Sequence, residues 1–269
     1  MPTVTATEVK ALRDATGAGM MDAKRALVEN EGDFDAASSW LRERGLGKAA
    51  ARSDRTSSDG AVAIATRDQP AAAAMVQLRA ETDFVAKSPA FVALVGELAA
   101  AVLESGEAAL DARKGDIDNL KVTLGENIEV GQAVRFEAAP GNILDTYLHL
   151  QSGRGVNAVM VELSAGSAEL AHDIAVHIAF GRPSVIGRDE VPEAAVAEER
   201  AAAEAEARNE GKPEAALPKI VEGKVNGWYK RQPGGVLLDQ PYAKDDKQSV
   251  AQVLGSATVV RFAQATIGG

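Results

Sequence analysis

Residues 72–103 read AAAMVQLRAETDFVAKSPAFVALVGELAAAVL and contain a strand, a connector and a helix in succession. Residues 72–80 form a short apolar run of strand length, too brief for a free-standing helix. Ser88-Pro89 is a helix start, with Ser as N-cap and Pro at the first helical position, where its missing N–H is not needed. Apolar residues at helical spacing then continue to Leu103. Upstream, residues 61–66 are a second β-like run joined to the first by a polar turn, so the unit is strand, strand, helix.

The same unit recurs at 145–180. Runs at 147–150 and 156–164 flank the turn Gln151-Ser152-Gly153-Arg154-Gly155, and a helix is predicted over 168–180. Two related α+β subdomains are expected. The copies differ where strand meets helix: the first inserts Thr82-Asp83-Phe84-Val85-Ala86-Lys87, while the second passes through Ala165-Gly166-Ser167 with no aromatic. A function carried on a duplicated scaffold is expected in the unmatched piece. The ring of Phe84 is either tucked under the following helix, the commoner fate of Phe, or presented to a partner.

Outside the repeat, Thr5-Ala6-Thr7-Glu8 is a capping box that opens a helix ending before Gly17. A second helix is predicted over 19–29, burying Met20 or Met21 with Ala23, Ala26 and Leu27. A third, capped by Asp33, has Phe34, Ala37, Trp40 and Leu41 on one face. Residues 45–60 are small, polar and locally basic, as in a linker. Residues 191–229 predict two helices around Gly211-Lys212-Pro213, an antiparallel hairpin whose Ala- and Glu-rich first arm stands out from the body. Short strands are expected at 236–238 and 259–262, rejoining the second sheet. The expected division is 1–55 for the N-terminal module and linker, 56–140 for the first core subdomain, 141–190 with 230–269 for the second, and 191–229 for the inserted hairpin.

Composition narrows the function. The 269 residues, 46% hydrophobic, suffice for one or two cores, and 4% aromatic content lowers the case for a bulky organic cofactor. A net charge of -10 opposes nucleic-acid binding. Charge interrupts every apolar run before membrane length, and the N-terminus shows no secretion signal, so neither a membrane contact nor export is expected. Without Cys, nothing calls for an oxidising compartment, and a cytoplasmic protein is expected.

Familiar site patterns fail on context. Gly17-Ala18-Gly19 lacks the third glycine of a nucleotide loop and follows a helix, and Gly153-Arg154-Gly155-Val156-Asn157-Ala158 leads into β-like sequence, so a hairpin turn is expected there. His172 and His177 lie five apart, about 140° around a helix, unlike the spacings of metal-binding pairs. No G-x-S-x-G elbow occurs and no carboxylate pair stands out. No cofactor, no metal and no catalytic residue is expected.

Two stretches, Leu12-Arg13-Asp14-Ala15-Thr16-Gly17-Ala18-Gly19-Met20-Met21-Asp22-Ala23-Lys24-Arg25-Ala26-Leu27 and Glu81-Thr82-Asp83-Phe84-Val85-Ala86-Lys87 with Phe91, closely resemble the elongation factor Ts family. The likeness continues through the helix around His172–His177, the Gly211-Lys212-Pro213 turn and Val221-Glu222-Gly223-Lys224. It implies a three-helix N-terminal module (UBA-like), a two-part core and a protruding helical hairpin. By resemblance the partner is the GTPase elongation factor Tu: Thr82, Asp83, Phe84 and Val85 push against a helix near its magnesium, Met20, Met21 and Lys24 grip its GTPase domain, and His177 contributes from the second subdomain. The family's usual Cys is Ala23 here. The sequence ends soon after Arg261-Phe262, where some members continue into a helix that also touches the GTPase, which by resemblance puts more of the affinity on the other two surfaces. The resemblance implies guanine-nucleotide exchange; the alternative is a helical adaptor or chaperone-like scaffold without exchange activity. The hairpin could mediate a homodimer, pack on its own body or remain free.

Overall fold

The computed structural model describes residues 4–50 and 54–268, with backbone alone at 46 and 48–50. Thr5 and Glu8 form the reciprocal capping box that starts α1 (Ala6–Thr16), and Gly17 ends it in the left-handed conformation. Then come α2 (Met20–Glu29) and α3 (Phe34–Ala50), the latter opened by Asp33, whose carboxylate accepts from the Ala36 N–H at 2.9 Å. Val9, Leu12, Ala23, Ala26, Leu27, Ala37 and Leu41 close a small core. Met20 and Met21, one of which was expected inside, are both exposed, and Phe34 is exposed as well. Ala23, Ala26 and Leu27 are the positions of α2 that face the core, which leaves Met20 and Met21 of its first turn outside.

The expected linker begins too early in sequence terms. Residues 45–50 continue α3, and 51–53 lie outside the described residues. Gly45 is useful within the helix because α3 crosses another helix there: a Cβ at this position would sit 2.5 Å from Val122 Cγ1.

The first half of the core consists of β1 (Asp59–Asp68), β2 (Ala71–Ala80), α4 (Asp83–Ala86), α5 (Pro89–Ser105), α6 (Ala109–Ala112), α7 (Lys114–Leu124) and β3 (Glu129–Glu137). The second half consists of β4 (Ile143–Gln151), β5 (Arg154–Leu163) and α8 (Ala168–Gly181). The helical hairpin follows as α9 (Glu193–Asn209) and α10 (Leu217–Tyr229). Then come β6 (Pro241–Tyr242), β7 (Asp245–Ser249), α11 (Val250–Leu254) and β8 (Val259–Thr266). The sheets run β1-β2-β3 and β4-β5-β8, each antiparallel, and a separate two-stranded ribbon pairs β6 with β7.

The α+β expectation is borne out. Each three-stranded sheet has a helix on one face and the other sheet on its opposite face. Along β2, Ala72, Ala74, Val76 and Leu78 pack with α5, whereas Ala73 and Met75 pack with Ala158 and Met160 of β5. Along β5, Val159, Val161 and Leu163 pack with Ala171, Ile174 and Ile178 of α8. Burial on both faces explains why the central strands are continuous apolar runs without alternation. Their many alanines let the sheets approach closely.

The expected strand at 259–262 joins the second sheet as β8. That at 236–238 does not form: Leu237–Asp239 is a single 3-10 turn, with an isolated bridge between Val185 and Val236. The sequence pattern does not predict β3, because Gly131, Gln132 and Arg135 interrupt it. A register shift opposite Gln77 absorbs the irregularity. In the hairpin, α10 buries Val221, Val225 and Tyr229 with Ala203 of α9 and Val236 of the body, while most of α9 is exposed.

Candidate functional site

The chain leaves β2 at Ala80 and makes one helical turn, α4, before α5. Thr82 is its N-cap, with the hydroxyl accepting from the Val85 N–H at 3.4 Å. Glu126 clamps the cap from the far end of the first half. Its carboxylate accepts from the Thr82 N–H at 3.0 Å and from the Thr82 hydroxyl. Next to it, Glu81 accepts from the Asn127 N–H at 2.7 Å, and the Asn127 side chain donates to the Arg55 carbonyl at 2.9 Å and to Glu129 at 2.7 Å. The turn is therefore held from two sides.

Inward, Ala86 is fully buried and Val85 packs on the first core, so the one-turn helix is seated on α5 and the sheet. Outward, Phe84 is 85% exposed, the highest exposure among the large apolar side chains described. The ring is presented and not tucked, against the commoner fate of Phe. Asp83 lies beside it, joined to Lys87 at 2.5 Å. That ammonium, with Arg154 adding at longer range, holds the Asp83 carboxyl below its ordinary range, so it is anionic at neutral pH.

Met20 and Met21 project from α2 on the N-terminal bundle, with Lys24 also exposed on that helix. His177 is different. It is fully buried, its Nδ1 accepting from the Ala243 N–H at 3.2 Å and its Nε2 lying 3.0 Å from Gln240 Oε1. Acceptance at Nδ1 fixes the proton on Nε2, which donates to Gln240. Gln240 in turn donates to the carbonyls of Gly181, Arg231 and Gly234. Burial holds the His177 pKa below its ordinary value. In this conformation the imidazole offers no surface to a partner and ties α8 to the segment that follows the hairpin.

Glu126 and Arg154 escaped sequence reasoning. Glu126 lies 44 residues from the cap it holds, and no local pattern announces such a contact. Arg154 stands in a turn motif that reads as simple hairpin sequence. Among the described residues no group of three or more His, Cys, Asp and Glu side chains is arranged to hold a metal ion, and no helix is long and apolar enough to cross a membrane.

Comparison with known proteins identifies the class as the translation elongation factors. The family model described as Elongation factor TS matches residues 81–269. A protein named Elongation factor Ts from Clavibacter michiganensis subsp. michiganensis is 43% identical, the alignment covering 100% of both chains. Its namesake from Acidothermus cellulolyticus is 44% identical over 100% of this chain and 99% of its own. That from Mycolicibacterium smegmatis is 42% identical with the same coverage. The chain belongs to the elongation factor Ts family.

Proposed function

We propose that this chain is a guanine-nucleotide exchange factor for elongation factor Tu, acting in the cytoplasm by contact and without bond-making residues. The observation that carries the reading is the 85% exposure of Phe84 on a turn anchored by Glu126 and by buried Ala86. A mobile loop bearing a Phe would have to be ordered on binding. A pre-ordered one can spend its contact energy on displacing the partner.

In this mechanism Thr82 and Val85 hold the turn, and Asp83 and Phe84 enter between elements of the GTPase near its magnesium. Mg²⁺ requires near-octahedral coordination, so a small shift of the helix beside it weakens both metal and phosphate binding with no covalent step. Met20, Met21 and Lys24 of the N-terminal bundle supply a second contact that keeps the two proteins together while GDP leaves. Buried His177 supports the fold of the second half of the core, where it ties α8 to the segment after the hairpin. Family membership supports the partner, and the geometry of the turn supports the wedge.

Coupling between two ligands on one protein is reciprocal. If the chain loosens GDP from elongation factor Tu, GDP must loosen the chain by the same ratio. Release of a fluorescent GDP from elongation factor Tu, followed with and without the native chain, should accelerate strongly in its presence, and added GDP should weaken the complex. Unchanged release would overturn the exchange reading and favour the adaptor.

A further inference from the structure

Arg154 stands at the start of β5, in the second half of the core, yet its side chain reaches into the first half. The residue is 8% exposed, and its Nη1 donates both to the Asp59 carboxylate and to the Gly60 carbonyl, 95 and 94 residues away in sequence. Asp59 and Gly60 open β1, and their partners across the ladder are Ala80 and Arg79, the last residues of β2 before the turn. α4 itself packs on β1 and β2. A guanidinium from one sheet is thus fastened to the platform on which Phe84 stands.

Two further observations mark the junction as specified. At neighbouring Gly155 a Cβ would sit 2.2 Å from the Val62 carbonyl, so only glycine lets the β4–β5 hairpin lie this close to β1. The Arg154 Nε is buried and has no hydrogen-bond partner among the described residues. A buried cation that leaves a donor unmet is a poor device for stability alone, since an apolar side chain of similar size does that work without the desolvation cost.

We propose that Arg154 is a positioning residue for exchange, fixing the start of β1 from the second sheet and, through it, the turn that presents Phe84. The inference rests on the exchange reading above. It also predicts a property of the isolated chain that does not depend on that reading. The amides of Ala86, Lys87 and Ser88, which close the turn onto Thr82, Asp83 and Val85, are protected only while the turn is seated.

The test compares Arg154→Gln, Arg154→Lys and Asp59→Asn with the native chain. Hydrogen exchange at residues 86–88 should speed up in Arg154→Gln and Asp59→Asn, while amides of α2 and α10 keep their protection. In GDP release from elongation factor Tu measured against increasing chain concentration, the plateau rate should fall about tenfold in Arg154→Gln, with a much smaller change in half-saturating concentration. Arg154→Lys, which restores the cation, should recover most of that loss. Asp59 is partly exposed, so its variant tests the same link should Arg154→Gln fail to fold. Unaltered protection at 86–88 in a folded variant would overturn the positioning role whatever happens to GDP. A change in half-saturation alone would make Arg154 a contact instead. Altered protection with no acceleration even by the native chain would retain the link and discard the exchange reading.

Discussion

At Phe84 a ring whose burial would contribute about 2 kcal/mol stands in solvent. Its neighbours Val85 and Ala86 point inward, so the exposure follows from the single turn of α4. That such a ring was special could be read from the sequence, because it falls where the two copies of the repeat differ. Its direction could not, since the commoner fate of a Phe in a short connector is a seat under the following helix. His177 shows the converse. By resemblance it is a contact residue, whereas in this structure it is buried and bonded to Ala243 and Gln240. With its pKa lowered in the folded state, His177 contributes stability that is present above the unfolded histidine value, about 6.5, and is lost as pH falls below it. Thermal melts from about pH 7.5 down to about pH 5.5 should show a decline that is flatter in His177→Gln. Equal slopes would mean that the imidazole is not held neutral.

Among the elements, the clamp on α4 is the part that sequence periodicity could not disclose. Ser88 and Pro89 announce α5 by local chemistry, and the capping box announces α1, because both signals lie within one turn. Glu126 meets Thr82 only once α7 and β3 have folded back, and β3 itself was hidden by Gly131 and Gln132. Glu126→Ala removes the acceptor of the Thr82 N–H and hydroxyl, and it should lower stability by about 1 kcal/mol, as read by chemical denaturation. Its exchange rate should fall more than that small change implies, because the turn loses its fixed approach. A rate equal to the native one would show that the seat formed by Val85 and Ala86 suffices.

For the whole molecule, β2 and β5 were legible as strands because each contains an apolar run of strand length. Their packing against each other was not, since a run buried on both faces says nothing about what covers the second one. That packing depends on small residues. Gly155→Ala forces a Cβ into the Val62 carbonyl and should cost about 2 kcal/mol of unfolding free energy, measured in urea. A neutral result would mean that the two sheets part easily. On the proposed function, one exposed ring held by the whole scaffold drives exchange. The most direct measurement is release of fluorescent GDP from elongation factor Tu driven by the Phe84→Ala variant beside the native chain. The variant should fold, and its exchange should be weaker by about 2 kcal/mol, roughly thirtyfold in rate. A folded Phe84→Ala chain that releases GDP as fast as the native one would contradict it.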